Sequence, residues 1–186
     1  MDVGKLQIRG IMKPKIILLC GPPCSGKSTW IKDNNPDNLV VLSTDSWIEE
    51  QAKVVNKTYS EIFDVAISSA LSDFIAKLNL YRNTKTSFIV DQTNVSPKSR
   101  RKKLILCDDY YKVAVYFEVP LEELLIRNHN RPGKVVPQRI ITQMHSSYKT
   151  PTEEEGFDLI IDGTANFSTG PDNSQTQLLY DMILNI

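Results

Sequence analysis

The sequence predicts a doubly wound α/β domain with a five-stranded, mostly parallel sheet and helices on both faces. Three observations carry that expectation. Five short apolar runs alternate with helical patterns. A Gly/Pro-rich turn follows the first run directly. Polar, chemistry-bearing residues gather just past the carboxyl ends of the runs, where open α/β sheets bind ligands.

The elements follow in order. Residues 1–14 show no period and read as an N-terminal arm, so the folded domain is expected over 15–186. Lys15–Cys20 is an unbroken apolar run, as suits a parallel strand covered on both faces. A short helix is expected over Lys27–Asn34 and a second strand over Leu39–Ser43. Apolar residues from Ile62 to Leu78 recur at helical spacing, with Ser60 and Glu61 as start signals and Asn83 as a stop. A third strand, Ser87–Asp91, ends on a carboxylate. Ser96-Pro97 is an N-cap followed by a first-turn proline, which launches a helix through about Cys107. Lys112–Val119 reads as a fourth strand, Pro120 and Pro137 each open a helix, and Phe157–Asp162 reads as a fifth strand. A terminal helix is expected over Gln175–Leu184.

Composition bounds the function. The 186 residues hold 22 Lys+Arg against 22 Asp+Glu, which argues against a strongly cationic nucleic-acid scaffold while leaving room for a local basic groove. The 3 cysteines, Cys20, Cys24 and Cys107, lack metal-ligand spacing and read as free thiols in a reducing compartment. No apolar run reaches the ~18 residues of a membrane span, and the polar start lacks a signal-peptide core. A cytoplasmic protein is the expectation, and no segment signals a protein partner or an oligomeric state.

Gly21-Pro22-Pro23-Cys24-Ser25-Gly26-Lys27-Ser28 fits G-x-x-x-x-G-K-[ST] at every position, between a strand and a helix. Glycines let the backbone wrap its N–H groups around phosphate, and the helix N-terminus adds partial positive charge. Residues Gly21 to Thr29 are therefore the expected nucleotide cradle, with Lys27 on the β- and γ-phosphates and Ser28 on Mg²⁺. No guanine-reading motif is present, so ATP is the expected nucleotide. Cys24 lies inside this loop, as a small spacer or as a thiol activated by the helix end.

Phosphoryl transfer needs positioned charge and a group that takes the acceptor's proton. Asp45, just beyond the second strand, suits that base role; the same residue could cap a helix from Trp47 onward. Asp91 closes an apolar strand as a magnesium-side carboxylate does, or sits as a plain turn aspartate. Arg127 and Arg131, four apart, are expected on one helix face, where guanidinium forks could clamp a transferring phosphate. Pro132-Gly133 and Pro137 bracket a stretch shaped like a lid. Lys98, Arg100, Arg101, Lys102 and Lys103 form a basic run, either facing a polyanionic acceptor or solvated on a helix face. His129 and His145 stand alone, without a partner at metal spacing.

These segments together resemble the 5′-kinase domain of phage-type polynucleotide kinases. The resemblance rests on Gly21–Trp30, Ser43-Thr44-Asp45, Val90-Asp91-Gln92-Thr93-Asn94 and the Arg127-Asn-x-x-Arg131 core of Val119–Pro137, and spans about Lys15 to Ile161. It implies a single P-loop kinase domain with an arginine-bearing lid, ATP and Mg²⁺ as cofactors, and a nucleic-acid hydroxyl as acceptor. It places the general base on Asp45 and the phosphate-contacting lid arginine on Arg131. The family's Asp-x-Thr-Asn element falls on Asp91, Thr93 and Asn94. One departure concerns the acceptor: the family carries an arginine soon after the base, and none occurs here between Asp45 and Leu80. Phe88–Lys102 also looks like part of the P-loop domain of heterogeneous nuclear ribonucleoprotein U, a kinase-like, nucleic-acid-associated module. Three functions therefore stand: a kinase of a DNA or RNA 5′-hydroxyl or of a hydroxymethylated base, a small-molecule kinase, and a nucleotide-binding interaction module.

Overall fold

In the computed structural model, residues 13–35 and 39–164 are described. Residues 1–12 of the arm expected over 1–14 and the helix expected over Gln175–Leu184 lie outside them. Five strands form one parallel sheet: β1 (Lys15–Cys20), β2 (Val40–Leu42), β3 (Phe88–Asp91), β4 (Tyr111–Tyr116) and β5 (Leu159–Asp162). Their order is β2-β3-β1-β4-β5, so the chain turns to opposite sides of β1 and makes its crevice there. The register sets Leu19 beside Asp91 and Cys20 beside Tyr116, which fixes the level at which the loops leave the sheet.

The apolar run of β1 has the burial its sequence demands. Ile16 and Leu18 on one face and Ile17 and Leu19 on the other are all at most 1% exposed, so both faces of the sheet are covered. Phe74 and Leu78 of a long helix, Leu104 and Tyr110 pack on the Ile16–Leu18 face.

The helices are α1 (Lys27–Asn34), α2 (Thr44–Val54), α3 (Tyr59–Asn83), α4 (Pro97–Leu104), α5 (Leu121–His129) and α6 (Gln138–Ser147). Their starts follow local chemistry. The Ser43 hydroxyl caps α2, Thr58 and Glu61 make a reciprocal capping box on α3, and Ser96 and Ser99 do the same on α4. The capping box puts the α3 N-cap at Thr58, two residues ahead of the expected Ser60, and the helix itself starts at Tyr59. Because Ser43 is the cap, Asp45 lies in the first turn of α2 and is not its N-cap. Among the described residues no helix is long and apolar enough to cross a membrane.

Candidate active site

The turn after β1 is a tight curl of backbone. Cys24 and Gly26 take positive φ of 66° and 103°, which curls the backbone into a concave run. A Cβ on Gly21 would stand 2.9 Å from Cβ of Phe117, so only glycine fits against the start of the β4–α5 connection. The Gly21 amide donates to the Thr93 carbonyl at 2.8 Å, tying the loop to the segment after β3. Ser28 and Thr29 are exposed at the start of α1.

Lys27 folds back into its own loop. Its ammonium donates to the carbonyls of Pro22 at 2.7 Å and Gly21 at 2.9 Å. Burial pushes its pKa down to about 8, opposed by the carboxylates of Asp91 and Asp45. Burial likewise raises the Asp91 carboxyl above its ordinary range, the Lys27 ammonium opposing and Asp45 adding to the shift. Lys27, Asp91 and Asp45 therefore share one electrostatic neighbourhood. A desolvated ammonium inside a curled loop, with the half-buried Asp91 carboxylate and the Ser28 hydroxyl alongside, fits a polyphosphate and its magnesium ion.

The arginines come from the far side of the loop. Arg127, in the last turn of α5, pairs with Glu123 and donates to the Cys24 carbonyl at 3.3 Å. Arg131 lies past the helix end, whose C-cap is Asn130, so the two arginines do not share a helix face as their spacing suggested. They still meet, because Nη1 of Arg131 lies 3.4 Å from Sγ of Cys24. Asn128 between them is buried and exchanges hydrogen bonds with the backbone of Val136 at 2.8 and 2.9 Å. That pair folds the chain from Arg131 to Val136 into a closed loop, in the stretch where a lid was expected.

Asp45 stands at the opening of α2 with both oxygens engaged. Tyr59 Oη donates to Oδ1 at 2.9 Å and the Lys134 ammonium lies 3.1 Å from Oδ2. Lys134 also pairs with Glu49 and sits 4.7 Å from the centre of the Tyr59 ring. Burial first, and then the Asp45 charge and hydrogen bond, raise the Tyr59 phenol far above its ordinary value, so it remains a donor.

Tyr59, Lys134, Glu49 and Asn128 were not singled out from sequence. Only Asn128 left a trace there, inside the Arg-Asn-x-x-Arg core.

Two expected acceptor contacts are corrected. Arg100 is 0% exposed, grips Glu155 through two hydrogen bonds of 2.6 and 2.7 Å, and gives Nη1 to the carbonyls of Asn94 and Lys149. Its donors are consumed inside the protein, so it is a structural residue and not an acceptor contact. Asn94 is 2% exposed, takes φ of 44°, and donates to the Leu19 carbonyl at 2.7 Å, which pins the loop after β3 to β1. Thr93 is half-buried and holds the phosphate loop through its carbonyl, while Arg101, Lys98 and Lys102 are exposed on α4.

Comparison with known proteins places this arrangement. Residues 16–151 match a family described as the AAA domain. Over 154 residues the chain is 33% identical to an L-seryl-tRNA(Sec) kinase of Methanococcus maripaludis, covering 77% of this chain and 56% of that protein. It is 26% identical over 176 residues to the human heterogeneous nuclear ribonucleoprotein U-like protein 2, covering 84% of this chain and 23% of the relative. The chain thus spans little more than half of the first relative and under a quarter of the second. A solved structure from Chloroflexus aurantiacus superimposes with a TM-score of 0.67 at 15% identity, over 95% of this chain and 99% of the other, a likeness of fold. The chain belongs to the AAA domain family, matched over residues 16–151, and its five-stranded parallel sheet with the G-x-x-x-x-G-K-[ST] loop after β1 has the P-loop kinase fold.

Proposed function

We propose that this domain moves the γ-phosphoryl group of ATP to a hydroxyl carried on a nucleic acid, with Asp45 as general base. The observation that carries the reading is the common neighbourhood of Lys27, Asp45 and Asp91, with Arg127 and Arg131 converging on Cys24 of the same loop. Donor-side cations and an acceptor-side carboxylate are what phosphoryl transfer requires.

The chemistry follows from these groups. The acceptor hydroxyl hydrogen-bonds to Asp45 and gives it the proton as its oxygen forms the new bond to phosphorus. The bond to the β–γ bridging oxygen breaks and ADP leaves. Lys27 exchanges the carbonyls of Gly21 and Pro22 for phosphate oxygens, and the two guanidinium groups stabilise the charge that spreads over the transferring group. Ser28 and Asp91 would hold Mg²⁺, which would supply further charge neutralisation.

Two names among the relatives support a nucleic-acid acceptor: one is an L-seryl-tRNA(Sec) kinase, and the other is named a heterogeneous nuclear ribonucleoprotein U-like protein. A small acceptor such as a nucleoside, nucleotide or sugar is the second reading. It is favoured by Asp45 and Glu49 at the opening of α2, with no arginine before Leu80, a corner poorly suited to reading an acceptor's phosphates. Transfer from γ-labelled ATP separates them. The acceptors are 5′-hydroxyl DNA and RNA oligomers, hydroxymethylated DNA, serine-charged tRNA and a panel of small alcohols. Label on a nucleic acid supports the first reading; label confined to the small panel overturns it.

A further inference from the structure

The proton-accepting carboxylate is held from two directions, and one of them is the lid. Lys134 follows Gly133, which takes φ of 76° and whose carbonyl receives both the backbone amide and the hydroxyl of Ser60 at 3.2 Å. On its other side Val136 is locked to Asn128. The backbone at Lys134 is thus anchored on α3 at one end and on α5 at the other. Its side chain is 15% exposed, a low figure for lysine, and its ammonium lies between Asp45 and Glu49 against the Tyr59 ring. The carboxylates of Asp45 and Glu49 replace the hydration that this ammonium gives up.

Asp45 itself has a side chain 48% exposed, so without partners its carboxylate would sample several rotamers. Tyr59 fixes one oxygen and Lys134 the other, while each oxygen keeps a second lone-pair direction for an acceptor hydroxyl. A base works through geometry first, and a third group that orients it is a recurrent device. Resting on the reading of Asp45 as base, we infer that Tyr59 and Lys134 are positioning residues that aim Asp45, and that through Lys134 this aim depends on the docked lid. Glu49 retains the ammonium if an acceptor hydroxyl loosens it from Asp45. The lid arginine Arg131, three residues before Lys134, would then be delivered by the same closure that orients the base.

Two measurements test the inference, one of which needs no acceptor. In hydrogen exchange on the nucleotide-free protein, Lys134→Met and Asp45→Asn should each speed exchange at the Ser60 and Val136 amides by about 10-fold or more, since each breaks the same latch. Unchanged exchange in both would overturn the coupling of lid and base. In steady-state kinetics, with labelled acceptor and with water as acceptor in parallel, Lys134→Met should lower kcat by ~10–100-fold with ATP affinity retained. Lys134→Arg should recover most of that loss, and Tyr59→Phe should lower kcat by a smaller factor. Because these residues act through Asp45, adding Lys134→Met to Asp45→Asn should cost little more. A loss confined to acceptor KM, or full additivity with Asp45→Asn, would overturn the positioning role. Normal transfer by Asp45→Asn would instead sink the reading of the base itself.

Discussion

Nη1 of Arg131 lies 3.4 Å from Sγ of Cys24, and Arg127 reaches the carbonyl of the same residue. Both cations are therefore parked on the rim of the phosphate loop. Arg131→Gln should lower kcat by about 100-fold or more while ATP still binds, since its guanidinium acts on charge that develops in the transition state. Cys24→Ser, which keeps a small side chain, should retain most activity. Alkylation of Cys24 should abolish nucleotide binding, and ATP-Mg²⁺ should protect the thiol. Rapid alkylation at saturating ATP would show that the loop around Cys24 is not the nucleotide cradle.

Lys27 gives a pH signature. In the folded protein its pKa is lowered from 10.5 to about 8 by burial, so between those values the folded state binds fewer protons than the unfolded one. The sign then runs against the usual lysine case: over that window this group makes the nucleotide-free protein more stable as pH rises. Bound polyphosphate favours the ammonium and draws the pKa back up. ATP binding at about pH 9, roughly a unit above the free-state pKa of about 8, should therefore take up close to one proton, and affinity should fall as pH rises further. Calorimetry in two buffers of different ionisation enthalpy measures the uptake, which should vanish in Lys27→Met. Proton release on binding would contradict this account of the loop.

Arg100 and Glu155 separate stability from chemistry. Removing either partner leaves a desolvated charge behind, so Arg100→Met or Glu155→Gln should cost ~3–5 kcal/mol in urea unfolding. Turnover per folded molecule should change little. Arg101→Ala, one residue away on the exposed face of α4, should leave stability within about 0.5 kcal/mol.

Much of this molecule could be read locally. The strand of uniform burial at Lys15–Cys20, the glycine–lysine–serine turn and the Ser96-Pro97 cap each announce themselves within a few neighbouring residues, and the fold follows from them. The basic run was harder, because charge density alone says nothing about which residue turns inward. The available signal was helical spacing: Arg100 lies four residues before Leu104, and both are buried on the inner face of α4. Lys134 and Tyr59 left no signal of their own. Their contacts with Asp45 span 89 and 14 residues of chain and exist only once α2, α3 and the lid have packed. Arg131 was expected on the same helix face as Arg127, but α5 ends at His129 and the convergence comes from the lid's fold.

The most direct test of the central claim is label transfer from γ-labelled ATP by the wild-type protein, Asp45→Asn and Lys27→Ala, across the nucleic-acid and small-alcohol acceptors. The account predicts label on an oligonucleotide or charged tRNA, reduced by about 100-fold or more in Asp45→Asn with ATP still bound, and lost in Lys27→Ala. Transfer that survives Asp45→Asn undiminished, or ATP bound without transfer to any acceptor, would contradict it.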